Sequence, residues 1–141
     1  MENTEEMQEM NIAAKVENLD KVLAFVDELL EAQECPMKVQ MQLDIAVEEL
    51  FVNIAKYAYE SGEGNALIQV VFTHDPLIVS IIFIDHGIPY DPVKKEDPDI
   101  TLPAEKRSIG GLGIYMVKKS MDNMYYEYKD GKNVLTIQKR L

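Results

Sequence analysis

Apolar residues recur at helical spacing in two long stretches and gather as β-formers in four shorter ones, and this pattern predicts the elements. Leu19, Val22, Leu23, Val26, Leu29 and Leu30 return every three or four positions, which predicts a first helix over about 17–33. Leu43, Ala46, Val47, Leu50, Phe51, Ile54, Ala55 and Ala58 keep the same period. A second helix is therefore expected to begin near Pro36, whose missing N–H is harmless in a first turn, and to end before Ser61-Gly62-Glu63-Gly64. Residues 66–73 and 77–84 are β-branched and aromatic and flank His74-Asp75-Pro76, which reads as a hairpin. A second hairpin is predicted where 123–128 and 134–139 flank Lys129-Asp130-Gly131-Lys132, because Asp-Gly supports turns with positive φ. Residues 10–14 form a short edge strand in this reading, and a third helix runs from Leu112 to about Met121 with Ile114 and Val117 inward.

The expected order is strand, helix, helix, strand, strand, lid, helix, strand, strand. Consecutive hairpins argue for an α/β (α+β) two-layer sandwich with a mixed, mainly antiparallel sheet and helices on one face, not a doubly wound parallel sheet. A chain of 141 residues supplies one ordinary core, so a single domain is expected over 1–141. About 20 residues between Pro89 and Gly110 hold Pro92, Pro98 and Pro103 among alternating charges. So long a connection without its own period reads as a lid or binding loop, here 90–109.

Composition narrows the function. With 14 basic and 25 acidic side chains the formal charge is −11, which repels nucleic acid and anionic lipid and favours solubility or a basic protein partner. Cys35 is alone, so no intrachain disulfide forms, and the histidines are only His74 and His86, which leaves no zinc or iron constellation. The longest apolar stretch is broken by Ser80 and falls far short of the roughly 20 residues that cross a bilayer. The acidic first residues are unlike a secretion signal, so a cytoplasmic location is expected.

Three stations carry candidate chemistry. Glu49 and Asn53 are four residues apart on the second helix, at the edge of its apolar arc. There a helix can present an amide oxygen to a metal and a carboxylate to a reacting hydroxyl, although the same pair would suit an ordinary solvated helix border. Asp85 arrives as an apolar strand ends, in Asp85-His86-Gly87-Ile88-Pro89. Its carboxylate can accept from an exocyclic amine such as that of adenine, Gly87 lets a flat ring approach, and Pro89 stiffens the turn; a plain Asx turn is the alternative. Gly110, Gly111 and Gly113 precede or open the third helix, where successive amides can converge on phosphate oxygens, and Lys106 and Arg107 just before them can neutralise phosphates. The run is neither a dinucleotide fingerprint nor a Walker loop.

Taken in order, these stations resemble the GHKL or Bergerat-fold ATP-binding domain shared by histidine kinases, DNA gyrase, Hsp90 and MutL. The resemblance is strongest to the SpoIIAB- and RsbW-like branch of anti-sigma-factor serine kinases. Ile45-Ala46-Val47-Glu48-Glu49-Leu50-Phe51-Val52-Asn53 is similar to the family's N box, Asp85 to Pro89 to its first glycine box, and Gly110-Gly111-Leu112-Gly113-Ile114 to its second. The resemblance implies ATP and Mg²⁺ as cofactors, with Asn53 as metal ligand and Asp85, Gly87, Pro89, Lys106, Arg107, Gly110, Gly111, Leu112 and Gly113 around the nucleotide. It implies Glu49 as general base toward a serine of a STAS-like anti-anti-sigma protein, a sigma factor as second partner, and a homodimer. A noncatalytic ATP-binding interaction module and a simple ATPase are the competing functions.

Overall fold

The computed structural model describes residues 6–93 and 111–141. Along the chain these form β1 (Glu6–Ala13), α1 (Leu19–Ala32), α2 (Met37–Asn53), β2 (Asn65–Thr73), β3 (Ile78–Asp85), α3 (Gly111–Ser120), β4 (Asn123–Lys129) and β5 (Lys132–Arg140). The five strands lie in one sheet in the order β1-β2-β3-β5-β4. All four pairings are antiparallel, so the sheet carries the hairpin logic of the sequence to every edge. In the β4–β5 turn Asp130 and Gly131 have φ of 55° and 76°, the backbone that Asp-Gly was expected to supply.

Alternation along the strands decides where the core lies. Ala66, Ile68, Val70 and Phe72 of β2, Val79, Ile81 and Phe83 of β3, and Leu135 and Ile137 of β5 are buried on one face. They meet Val22, Val26 and Leu30 of α1, Leu43, Val47, Leu50 and Phe51 of α2, and Ile114 and Val117 of α3. The opposite face carries Leu67, Gln69, Ile82, Ile84, Val134 and Thr136, all half-buried. Helices thus cover one face of the sheet, as the period-2 pattern of the strands requires.

The element ends differ from the sequence reading in three places. β1 begins before the apolar positions that marked 10–14, because backbone pairing with β2 rather than burial defines it; Met7, Gln8 and Glu9 are exposed. The stretch ahead of α1 is a 3-10 turn, Val16–Asn18. After Asn53 the second helix widens into a π turn, Ile54–Ala58. Apolar periodicity runs through that turn unbroken because Ile54 and Ala58 both still face the core.

Asp27 of α1 and Asp44 of α2 meet across the packed helices, and among the described residues one buried carboxyl oxygen of each has no hydrogen-bond partner. Burial, then the hydrogen bond and charge of Asp27, then the charge of Glu31 push the Asp44 carboxyl up to about 7. That rise keeps a proton on Asp44, from which it can be shared in a hydrogen bond with Asp27.

Two outcomes follow from this packing. Ile81→Ala, on the buried face, is expected to cost about 2–5 kcal/mol in urea unfolding, whereas Ile82→Thr, on the other face, should cost under about 1 kcal/mol; equal losses would contradict the one-sided core. Because Asp44 holds its proton more tightly when folded, its contribution to stability is full below its unfolded value of about 4 and is lost as pH rises through about 7. Unfolding at pH 5 and pH 8 should therefore show a smaller fall for Asp44→Asn than for the wild type, and an identical fall would count against the shared proton.

Candidate functional site

Where the C-terminal half of α2 and its π turn pass over the ends of β3 and β5, they enclose a cavity of about 450 Å³. Leu50, Ile54, Ala58, Phe83, Ile88 and Leu135 give it apolar walls, and Asn53, Asp85 and Asn133 are its polar groups. Tyr57, Tyr90 and Tyr126 add aromatic surface. This size and lining, mainly apolar with a few placed polar groups, suit a ligand with a flat ring.

The sequence-derived residues are distributed around this space in different ways. Asn53 and Asp85 line the same cavity, as does Pro89. Gly87 is buried beside it, and a Cβ there would lie 2.2 Å from the carbonyl oxygen of Ala58. Glu49 is not part of the lining; its carboxylate sits against α3, where a Cβ on Gly113 would fall 2.2 Å from its Cδ. Gly111 opens α3, with Leu112 next to it in the first turn. Lys106, Arg107, Gly110 and residues 94–109 of the expected lid lie outside the described residues.

The turn after β3 is fixed by hydrogen bonds rather than by proline alone. Gly87 N–H donates to Asp85 Oδ1 at 2.8 Å, the Asx turn that the sequence left open. His86 N–H donates to the Tyr59 hydroxyl at 2.9 Å, and Ile88 N–H donates to Ala58 O at 2.9 Å. The π turn Ile54–Ala58 ends at the residue whose carbonyl meets this loop.

Asn133 is the residue that sequence reasoning missed. It is the cross-strand neighbour of Asp85, and both are nearly sealed from solvent, at 6% and 5% exposure. Its Nδ2 donates to Asp85 Oδ1 and Ile88 O, each at 2.9 Å, with a longer contact to Gly87 O at 3.4 Å. Its Oδ1 accepts from Tyr90 N–H at 3.2 Å and from the Tyr126 hydroxyl. A signal was present in the chain: with the turn at Asp130-Gly131, Asn133 is in phase with Leu135 and Ile137, so an amide was destined for the buried face and needed partners there.

Electrostatics distinguish the carboxylates. Burial raises the Glu49 carboxyl above the ordinary range, the charge of Glu48 adds to this, and Lys56 opposes it. Asp85 Oδ1 takes two N–H donors, and among the described residues no group donates to Oδ2. These features fit a nucleotide: an open acceptor for an exocyclic amine at one wall and the Asn53 amide at another. Among the described residues no three His, Cys, Asp or Glu side chains gather into a metal site of their own.

Comparison with known proteins agrees with this geometry. The model of the histidine kinase-like ATPase domain matches residues 12–139. The serine/threonine-protein kinase BtrW of Bordetella bronchiseptica is 26% identical over 100 residues, which cover 71% of this chain and 70% of BtrW. The serine-protein kinase RsbW of Bacillus thuringiensis is 31% identical over 97 residues, 66% of this chain and 59% of RsbW. The chain thus spans between about three fifths and seven tenths of these relatives. The crystal structure of the RsbU and RsbW domains of Rv1364c from Mycobacterium tuberculosis superposes with a TM-score of 0.69 at 15% identity, covering 96% of this chain and 32% of that one, a likeness of fold. No helix among the described residues is long and apolar enough to cross a membrane.

The two tight glycines respond differently to an added methyl group. Gly87→Ala presses on backbone, the Ala58 carbonyl, and should cost about 1–3 kcal/mol and lower the thermal midpoint. Gly113→Ala meets only the mobile end of Glu49 and gains roughly 1 kcal/mol of helix propensity, so its midpoint should match or exceed the wild type. Equal destabilisation of both variants would contradict the different packing of these sites.

Proposed function

The chain belongs to the histidine kinase-like ATPase domain family, and on that premise we propose that it is a Mg-ATP-dependent serine protein kinase of the anti-sigma-factor type. Its substrate in this reading is a serine hydroxyl on a STAS-like anti-anti-sigma protein, a sigma factor is its second partner, and its compartment is the cytoplasm. The observation that carries the proposal is the single cavity lined by both Asn53 and Asp85, with Glu49 one helical turn before Asn53. The relatives' names, serine-protein kinase and serine/threonine-protein kinase, support transfer to a hydroxyl.

Bound Mg-ATP supplies the phosphoryl group and the cation that neutralises its oxygens. Asp85 would accept a hydrogen bond from the exocyclic amine of the base, the Asn53 amide oxygen would hold the metal, and the amides of Gly111 and Gly113 at the start of α3 would offer donors to the phosphates. Lys106, Arg107, Gly110 and Leu112 complete this binding set as the sequence resemblance implies. Glu49 then receives the proton of the attacking hydroxyl, and its upward shift moves a carboxylate toward the operating pH of a general base. Positioning and charge stabilisation supply most of the rate in such a transfer.

A protein acceptor also has a surface to meet. Met37, Met41 and Ile45 of α2 are 69%, 58% and 59% exposed, and their four-residue steps lead directly to Glu49. Apolar side chains left in water in a row beside a candidate base favour a macromolecular substrate over a small one.

The test is a transfer assay with labelled ATP, Mg²⁺ and a STAS-like partner recovered by affinity capture. Glu49→Gln is expected to bind Mg-ATP within about threefold of the wild type but to lose on the order of 10²-fold or more in transfer. The wild-type rate should rise with pH above the ordinary carboxylate range, and that limb should vanish in the variant. Undiminished transfer by Glu49→Gln would remove Glu49 as the base. ATP binding with no transfer would identify an interaction module instead, and phosphate release without an acceptor would identify an ATPase.

A further inference from the structure

Asp85 and Asn133 form a buried polar pair whose donors and acceptors can be followed one by one. Asp85 Oδ1 receives Gly87 N–H at 2.8 Å and Asn133 Nδ2 at 2.9 Å, which occupies its acceptor positions. Among the described residues nothing donates to Oδ2, and Asp85 lines the cavity. The amide of Asn133 cannot easily turn over, because its oxygen accepts Tyr90 N–H and the Tyr126 hydroxyl while its nitrogen serves Asp85 and the carbonyl of Ile88. Reversing it would set oxygen against oxygen on one side and donor against donor on the other.

We infer that Asn133 is the positioning residue that sets base selectivity in the cavity, by reducing Asp85 to one free acceptor oxygen; this rests on the nucleotide reading above. A carboxylate with both oxygens free is a good partner for guanine, whose ring N–H and 2-amino group are adjacent donors able to form two parallel bonds. Adenine presents one donor, its 6-amino group, beside a ring nitrogen acceptor. With Oδ1 already filled, Asp85 satisfies the single donor of adenine but leaves the second donor of guanine buried and unpaired, an arrangement with a large penalty. If guanine instead took the pose of adenine, its 6-oxo group would face acceptor oxygen where the adenine amine faces it favourably.

Register makes this arrangement specific to position 133. Asp85 and Asn133 are directly opposed on β3 and β5, so the amide reaches the carboxylate oxygen without crossing the cavity. A leucine at 133 would offer no donor. An aspartate would place a second carboxylate against Asp85 and the Ile88 carbonyl.

The experiment is isothermal titration of the full chain with ATP, GTP and ITP in the presence of Mg²⁺. ITP has the ring N–H of guanine but lacks the 2-amino group, so it reports directly whether a second acceptor is available. Wild type is expected to bind ATP about tenfold or more tighter than GTP, and to bind GTP no tighter than ITP. Asn133→Ala leaves only Gly87 N–H on Oδ1 and reopens one of its two acceptor positions, so the preference for ATP over GTP should collapse toward one and GTP should now outbind ITP. Asn133→Thr retains a hydroxyl donor and should restore most of the preference. Equal weakening of all three nucleotides in Asn133→Ala would overturn the inference in favour of a purely structural role. Should that variant fail to fold, the wild type decides alone: GTP binding clearly tighter than ITP overturns it. Binding of none of the three by folded wild type would overturn the nucleotide reading itself, an outcome distinct from binding without selectivity.

Discussion

The site depends on the two N–H groups, from Gly87 and Asn133, that converge on one oxygen of Asp85. On the helix-covered face of β3 and β5, Ile81 faces Ile137 and Phe83 faces Leu135, and at the next rung a carboxylate and an amide stand opposite each other. Left unpaired there, either group would cost several kcal/mol by the usual measure for buried polar groups. Paired, they fix the orientation of the carboxylate, and the spare bonds of Asn133 hold Ile88 and Tyr90 in the loop that follows. The same interaction that makes burial tolerable therefore shapes the wall of the cavity.

The second helix carries the other half of the arrangement. Its apolar face packs the core through Leu43, Val47, Leu50 and Phe51, which fixes its rotation and so the direction of the residues on its border. Asn53 lies in the cavity wall, and Glu49, one turn earlier, is pressed against Gly113 at the start of α3. Any larger residue at 113 would occupy the space of the carboxylate. The widening of the helix over Ile54–Ala58 then turns the Ala58 carbonyl toward Ile88, tying helix to loop. The acids that belong to packing rather than to the site, Asp27 of α1 and Asp44 of α2, meet each other where the two helices pack.

Most of the architecture was legible because each element announced itself by period and by turn chemistry. Asp130-Gly131 forced a hairpin, the run of Val and Ile on either side of His74 forced another, and two helical periods bracketed Pro36. Asn53 could be singled out as a polar residue at the edge of an apolar helical arc, and Asp85 as one at the end of an apolar strand. Asn133 was harder: it is an ordinary amide in a strand of alternating character, and its meaning depends on which residue lies across from it, which only pairing with β3 reveals. The π turn left no trace in the apolar period, since both of its ends stay buried. The packing of Glu49 on Gly113 is likewise a contact between elements far apart in sequence, for which local pattern carries no information.

The measurement that bears most directly on the central claim, one cavity between α2 and the ends of β3 and β5 that receives a nucleotide, is amide chemical-shift mapping of labelled protein during titration with Mg-ATP. Saturable changes should concentrate in residues 53–58, 85–90 and 133–135, the three segments that build the cavity. Changes confined to the uncovered face of the sheet, or to the surface of Lys38, Gln42, Asp122 and Arg140, with those three segments silent, would contradict it.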